Sequence, residues 1–281
     1  MRILVTGAAG FIGRHVIKEL VDNYPQYKIV AIGRKLRDGQ KSANVTYKSF
    51  DLCLANDQNQ VLNGDYDIMI HLAWDKIHDY NNEQHLTQIL PAQKLFLSKA
   101  ISQIGSIVVI GTCFEYGLQQ GELFETADTK PNTAYGKAKD LLRRYAFDQS
   151  SKFDSKIKWL RPFYLYGKGQ SKSSLIPQLE RAIENNEINF NMSGGQQIRD
   201  YMKVDLLANY IVKIAFLKEV EGIYNCCSNQ PVTLENFIRD YIETYHKHCK
   251  INLNLGHFPY NPLEPMEFWG NNEKLLSLFK N

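Results

Sequence analysis

The segment Asn132-Thr133-Ala134-Tyr135-Gly136-Lys137-Ala138-Lys139 holds a phenol and an amine four positions apart. On a helix that spacing is one turn, so Tyr135 and Lys139 share a face. A fixed ammonium beside a phenol stabilises the phenolate and is expected to draw the tyrosine pKa down toward the working pH. Such a tyrosine can exchange a proton with a hydroxyl or carbonyl oxygen while a hydride moves at the same carbon. The pair alone also fits a plain amphipathic helix, so its meaning depends on what else the chain supplies.

A hydride carrier has a seat near the start of the chain. Gly7, Gly10 and Gly13 in Gly7-Ala8-Ala9-Gly10-Phe11-Ile12-Gly13 lie between an apolar run and a helical pattern. Glycine there permits a tight turn, lets backbone approach a pyrophosphate, and allows close packing of helix on sheet. The helix start then offers free N–H groups to the anion. The spacing is GxxGxxG, where the commoner dinucleotide fingerprint is GxGxxG. The second strand ends Ala31-Ile32-Gly33-Arg34-Lys35, without the carboxylate that would accept hydrogen bonds from a ribose 2′-hydroxyl. Arg34 and Lys35 offer charge-assisted bonds to a 2′-phosphate, so NADP(H) is the expected cofactor, with NAD(H) possible. The alternative is that the two cations are solvated loop charges.

The elements that must position these groups are legible as a pattern. Ile3–Val5, Ile29–Ile32, Val45–Tyr47, Ile68–His71, Ile107–Ile110 and Ile157–Leu160 are short β-branched runs and read as strands. Phe11–Val21, Leu86–Ile104, Tyr135–Asp148 and Leu175–Glu184 carry apolar residues at helical spacing. This alternation predicts a Rossmann-type α/β fold, a doubly wound parallel sheet with helices on both faces. Past about residue 170 only short strands remain, such as Glu221–Asn225 and Lys250–Leu253, in loops richer in Asn, Gly and Pro. The expected organisation is a dinucleotide domain over 1–165, with further contributions around 200–225, and a small α+β substrate lobe over 166–281.

The bulk composition excludes other classes. The chain has 281 residues, 44% hydrophobic and 22% charged, enough for one large core and a smaller lobe. Its formal charge of +3 comes from 33 basic and 30 acidic residues without a basic block, which argues against a nucleic-acid partner. No stretch approaches the roughly 20 apolar residues of a membrane span. The opening residues lack a signal-peptide core and cleavage site, and the five cysteines show no CxxC spacing. Reduced thiols, no metal site and a cytoplasmic location are expected.

Taken together, the turn at Gly7 and the Tyr135 to Lys139 segment resemble the extended short-chain dehydrogenase/reductases, the family of nucleotide-sugar epimerases, dehydratases and reductases. Three later segments extend the likeness through nearly the whole chain. They are His71-Leu72-Ala73-Trp74, similar to HLAA; Arg161-Pro162-Phe163-Tyr164-Leu165-Tyr166-Gly167, similar to RPxNxYG; and Arg199-Asp200-Tyr201-Met202-Lys203-Val204-Asp205, similar to RDfvyVdD. The resemblance implies that Thr112 is the catalytic Ser/Thr beside Tyr135 and Lys139. It places Phe11, Ile12, Asp51, Leu52, Leu72 and Ala73 along the dinucleotide, with Asp51 on the adenine. Arg199 becomes the nucleotide-phosphate arginine, unless it is a surface ion pair with Asp200 or Asp205. Tyr164 stands where the family has a substrate-touching asparagine.

The resemblance also narrows the reaction. The Asp-Glu pair that dehydratases carry after the catalytic Thr is Cys113 and Phe114 here, and the Cys and His of GDP-fucose synthases fall on Phe114 and Gly169. What remains is NADPH-dependent reduction of the 4-keto group of a CDP- or dTDP-linked 4-keto-6-deoxyhexose, as in deoxysugar and surface-polysaccharide synthesis. Gly111–Gly117 and Pro262–Trp269 look most like such reductases. The alternatives are a 4-epimerase with tightly held NAD and a non-catalytic dinucleotide-binding protein. The apolar faces of Leu86–Ile104 and Tyr135–Asp148 resemble the helices that pair in the family's four-helix homodimer contact, or else they pack on their own sheet.

Overall fold

The computed structural model describes residues 1–35 and 42–280. Its main sheet has seven parallel strands: β1 Arg2–Thr6, β2 Lys28–Gly33, β3 Val45–Ser49, β4 Ile68–His71, β5 Ser106–Ile110, β7 Lys156–Pro162 and β11 Gly222–Cys226, in the order β11-β7-β5-β4-β1-β2-β3. The order reverses after β1, between β2 and β4, which puts the open crevice at the carboxyl ends of these strands. The expected Rossmann-type sheet is present.

Successive strand residues face opposite sides, so each β-branched run feeds two cores. On one side Ile3, Val5, Ile29, Ala31, Ile68 and Ile70 pack against helices α1 Phe11–Asn23 and α6 Val204–Phe216. On the other, Leu4, Val30, Ile32, Met69, Ile107 and Val109 pack against α2 Ala55–Leu62, α3 Leu90–Ile101 and α4 Ala134–Ser150. Among the described residues, no helix is long and apolar enough to cross a membrane.

The smaller lobe is built from β6 Gly121–Leu123, β8 Tyr164–Tyr166, α5 Leu175–Glu184, β9 Asn189–Asn191, β10 Ile198–Lys203, β12 Pro231–Thr233, α7 Leu234–Tyr245, β13 Asn252–Asn254 and β14 Glu267–Gly270. Its sheet runs β12-β10-β14-β6 with β8 added on β10, and β13 pairs with β9. A core of Ile176, Leu179, Phe190, Met192, Leu234 and Ile238 holds it together. The final helix, α8 Glu273–Ser277, returns Leu275 to the core of the main sheet.

Individual elements differ from the sequence reading for physical reasons. The helix expected over 86–104 is a π-helical turn, His85–Ile89, followed by α3. Pro91 has no N–H for the regular ladder, and a wider turn ahead of it absorbs the break. Helix α2 went unread because its polar sequence buries only Gln58, Val61 and Leu62. The strand read near 221–225 is β11, which extends the main sheet beside β7 and pairs Tyr224 with Leu160, within the 200–225 stretch expected to contribute to the dinucleotide domain.

Candidate active site

The glycine turn is shaped by contacts that a side chain would destroy. Gly7 has φ +69, and a Cβ on it would lie 2.7 Å from the Ala73 nitrogen; one on Gly13 would lie 2.1 Å from the Gly7 carbonyl oxygen. These two glycines let β1, α1 and the segment after β4 interlock. Gly10 differs, since its Cβ would meet only the Gly7 oxygen at 3.1 Å, leaving its open side toward the crevice. Gly10 is also the N-cap of α1, with no side-chain cap and no acidic residue in the first turn. The helix start therefore presents uncapped N–H groups and a positive dipole end.

Buried side chains hold the floor of this crevice. The Thr6 hydroxyl and His71 Nδ1 lie 2.8 Å apart, His71 Nε2 lies 2.6 Å from Gln93 Oε1, and Gln93 Nε2 donates to the Ala73 carbonyl at 3.3 Å. Burial, assisted by the nearby Lys139 cation, pushes the His71 pKa down to about 3. A neutral His71 then donates from Nε2 to Gln93 and accepts at Nδ1 from Thr6. A cavity of about 630 Å³ opens above this floor, and every residue that the sequence reading put along a dinucleotide lines it, from Gly7 through Arg34, Lys35 and Asp51 to Tyr135 and Lys139. The glycine cradle, the uncapped helix start and the cavity fit a dinucleotide.

At the β2 end the structure adds a carboxylate that the local sequence lacks. Arg34 donates to both Asp75 oxygens, at 2.7 and 2.9 Å, and both residues line the cavity. Asp75 follows β4, so it reaches the Gly33 end through the fold, 41 positions away in sequence. Asp51 lies two residues beyond β3 and accepts from the Cys53 N–H at 2.9 Å.

Thr112 lies two residues beyond β5, after Gly111. Its extended backbone starts a short 3-10 turn in which Glu115 accepts from the Thr112 N–H at 2.9 Å and the Thr112 hydroxyl accepts from the Phe114 N–H at 3.3 Å. Glu115 is fully buried, and it also accepts from Trp159 Nε1 at 2.8 Å and Arg161 Nε at 2.8 Å. Any residue larger than glycine at 111 would strike this cluster, because a Cβ there would lie 2.1 Å from Trp159 Nε1. The cluster thus locks the backbone that carries Thr112.

Tyr135 and Lys139 sit on the first two turns of α4, whose N-cap Thr133 accepts from the Gly136 N–H. Tyr80 stacks on the Tyr135 ring at 5.6 Å, and Trp74 and His85 flank it. Lys139 Nζ donates to the Ile110 carbonyl at 2.7 Å and lies 4.1 Å from the Trp74 ring centre, but 6.0 Å from the Tyr135 ring centre. The expected drop in the tyrosine pKa is corrected here. Burial pushes the Tyr135 phenol up, opposed weakly by a hydrogen bond from Thr112, and pushes Lys139 down to about 7 against the pull of Glu115. Desolvation outweighs the ammonium because both groups lie out of water and the amine is spent on a carbonyl and an indole face.

Arg199 and Tyr164 lie apart from the dinucleotide cavity, on adjacent strands of the small lobe. Arg199 makes neither of the ion pairs considered for it, with Asp200 or Asp205. Its guanidinium donates to the Ile198 and Met266 carbonyls and to Glu264 at 3.3 Å, and the Tyr164 hydroxyl donates to the same Glu264 oxygen at 2.6 Å. Asp200 instead caps a turn by accepting from the Ser228 and Gln230 N–H groups.

Sequence reasoning missed Glu115, Asp75, Tyr80, His85 and Glu264. For Glu115 a signal existed: Thr112-x-x-Glu115 is the spacing of a capping box. The others have no local signature, because their partners are distant in sequence.

A twisted parallel sheet with a glycine turn at its switch point, and a Thr, Tyr and Lys at its crevice, defines a Rossmann-type dinucleotide-binding protein of the short-chain dehydrogenase/reductase kind. Residues 3–227 match the model of the NAD dependent epimerase/dehydratase family, and the chain belongs to that family. Among curated relatives it is 28% identical to a dTDP-6-deoxy-L-talose 4-dehydrogenase (NAD(+)) of Aggregatibacter actinomycetemcomitans over 277 residues, 96% of this chain and 99% of that one. It is 21% identical to a dTDP-D-glucose 4,6-dehydratase of Mus musculus, over 86% of this chain and 72% of the relative. Among solved structures, a UDP-N-acetylglucosamine 4-epimerase of Methanobrevibacter ruminantium superposes with a TM-score of 0.85 at 20% identity, covering 100% of this chain and 92% of that one. A UDP-glucuronic acid 4-epimerase of Bacillus cereus, solved with UDP-glucuronic acid and NAD, superposes at 0.83 with 23% identity, over 99% and 92%.

Proposed function

We propose that this chain is a nucleotide-sugar 4-ketoreductase, acting on the C4 oxygen of a nucleotide-linked 6-deoxyhexose. The observation that carries the reading is the convergence of the Gly7 to Gly13 cradle, Tyr135 and Lys139 on one cavity, with Thr112 locked at the end of β5. Its likeness along the full length of a dTDP-6-deoxy-L-talose 4-dehydrogenase supports the substrate class. Neither Cys113, whose thiol burial pushes up, nor Phe114 offers the second acid-base pair that elimination of water would require.

A nicotinamide dinucleotide in this cradle supplies or accepts the hydride. Tyr135, kept protonated by burial, gives its proton to the ketone oxygen on reduction and takes it back in the reverse direction. Thr112 hydrogen-bonds that same oxygen and fixes its direction. The protonated form of Lys139, held by the Ile110 carbonyl and the Trp74 face, puts positive charge on the phenol's side of the crevice as proton transfer proceeds. Tyr80, Trp74 and His85 wall off the Tyr135 ring and limit water.

For the cofactor, Asp75 on Arg34 changes the balance drawn from the strand end alone. A 2′-phosphate would have to displace or sit beside that carboxylate, whereas a ribose hydroxyl can donate to it. The reading favoured is therefore NAD(H) over NADP(H). The exposed apolar positions Leu95 on α3 and Leu141 on α4, 42% and 44% exposed, support a homodimer through these two helices.

The test is to mix the protein with NADH or NADPH and a panel of dTDP-, CDP- and UDP-linked 4-keto-6-deoxyhexoses while following cofactor absorbance. Oxidation of the cofactor with at least one of them is expected, and Tyr135→Phe lowers the rate by about 10²-fold or more while leaving dinucleotide binding intact. Protein that carries NAD through purification and interconverts C4 epimers without net cofactor turnover would replace this reading with an epimerase.

A further inference from the structure

We propose that Glu264 is a specificity-determining residue of the sugar subsite, its carboxylate accepting hydrogen bonds from the hydroxyls of a neutral hexose and turning away hexoses that carry an acid group. The inference rests on the nucleotide-sugar reading above and adds which sugars the site admits.

The geometry of the carboxylate carries it. Oε2 is occupied, accepting from the Tyr164 hydroxyl at 2.6 Å and from Arg199 Nη2 at 3.3 Å. Among the described residues Oε1 accepts only from Asn261 Nδ2, at 3.1 Å, although each carboxylate oxygen has room for two donors. The Glu264 side chain keeps 22% of its surface exposed, while its Arg199 partner keeps 5%. The carboxylate thus keeps acceptor capacity and partial exposure while it is held by a buried clamp. A phenol and a guanidinium fix the group so that little freedom remains to be lost when a sugar hydroxyl docks.

Its place in the fold puts this acceptor between the two halves of the site. The Leu263 carbonyl accepts from Asn132 Nδ2 at 3.2 Å, tying the loop to the start of the helix that bears Tyr135. Strand β14 begins three residues after Glu264 and pairs Phe268 with Arg199. The charge of Glu264 is felt by Cys113, the neighbour of Thr112, and by Tyr80, which stacks on Tyr135; it adds to the burial that raises both. A sugar presented to Thr112 and Tyr135 therefore lies within the electrostatic reach of Glu264. Arg199 is already neutralised by this partner, so it does not offer a second carboxylate a free cation.

The test compares binding to the full chain saturated with NAD. The probes are a nucleoside diphosphate, the same diphosphate bearing glucose, and the same bearing glucuronic acid, in the uridine and thymidine series. Wild type should favour glucose over glucuronic acid by at least tenfold, and Glu264→Gln should cut that ratio by tenfold or more without weakening affinity for the bare diphosphate. Tyr164→Phe, which keeps the carboxylate but loosens it, should weaken glucose binding less and also spare the diphosphate. A ratio unchanged within twofold in Glu264→Gln overturns the inference, as does loss of diphosphate binding in both variants, which would mark a structural clamp. Wild type that binds none of these probes, nor the same three in the cytidine series, overturns the nucleotide-sugar reading itself, and this one with it.

Discussion

Lys139 holds its amine in a place where a charge is costly, and Glu115 is the buried countercharge that it feels. Because burial takes Lys139 from 10.5 to about 7, the unfolded chain binds more protons than the folded one between those values, and stability rises with pH across that window. Lys139→Met removes this contribution, so the difference in unfolding free energy between variant and wild type should move in favour of the wild type as pH rises from 7 to 10, by urea titration. Glu115→Gln should cost about 3 kcal/mol of stability, since it leaves Arg161 without its carboxylate, and should move the Lys139 titration further down. A variant as stable as wild type with an unmoved Lys139 would contradict that account. At this scale the sequence disclosed the groups but not their state. Tyr135 and Lys139 were readable as neighbours on a helix, whereas the balance between desolvation and attraction depends on Trp74, Ile110 and Glu115, which only the fold brings near.

Among the elements, the β1 turn into α1 separates two kinds of glycine. Gly13→Ala forces a Cβ to within 2.1 Å of the Gly7 carbonyl, so both stability and dinucleotide binding should fall, by thermal unfolding and by fluorescence titration. Gly10→Ala meets only one atom at 3.1 Å, so the fold should persist while affinity for the dinucleotide drops. Equal loss of stability in both would show that the turn is merely structural. The main strands were legible because each is a β-branched run long enough to feed two cores. Strand β11 was legible as a strand in a stretch expected to rejoin the dinucleotide domain, but its partner β7 was not, since parallel pairing across an intervening lobe leaves no mark in the local pattern. The π-helical turn before α3 was hidden for a related reason: apolar spacing continues through it, and Pro91 alone hints at the break.

For the whole molecule, α3 and α4 lie side by side on one face of the sheet and expose Leu95 and Leu141. If these helices form the dimer, Leu95→Asp with Leu141→Asp should yield a folded monomer in sedimentation velocity runs; a wild type that sediments as a monomer would sink the proposal. Cofactor choice belongs at this scale too, because Arg34 meets Asp75 only through the packing of β1 between β2 and β4. Arg34→Ala should leave NADH turnover within about threefold if Asp75 faces the ribose, and should spoil it if the ion pair orders the pocket, as steady-state kinetics would report. The chain path has a practical outcome for anyone wishing to re-engineer substrate choice. Between β5 and α4 the polypeptide already visits the small lobe as β6; after β7 it leaves the main sheet for β8, α5, β9 and β10, returns for α6 and β11, departs again through β12, α7, β13 and β14, and comes home at α8. The small lobe is therefore no detachable cassette. Transplanting a relative's sugar preference means grafting three interrupted excursions at once, with every re-entry point kept in register, and a single cut-and-paste junction will give a protein missing part of its own sheet.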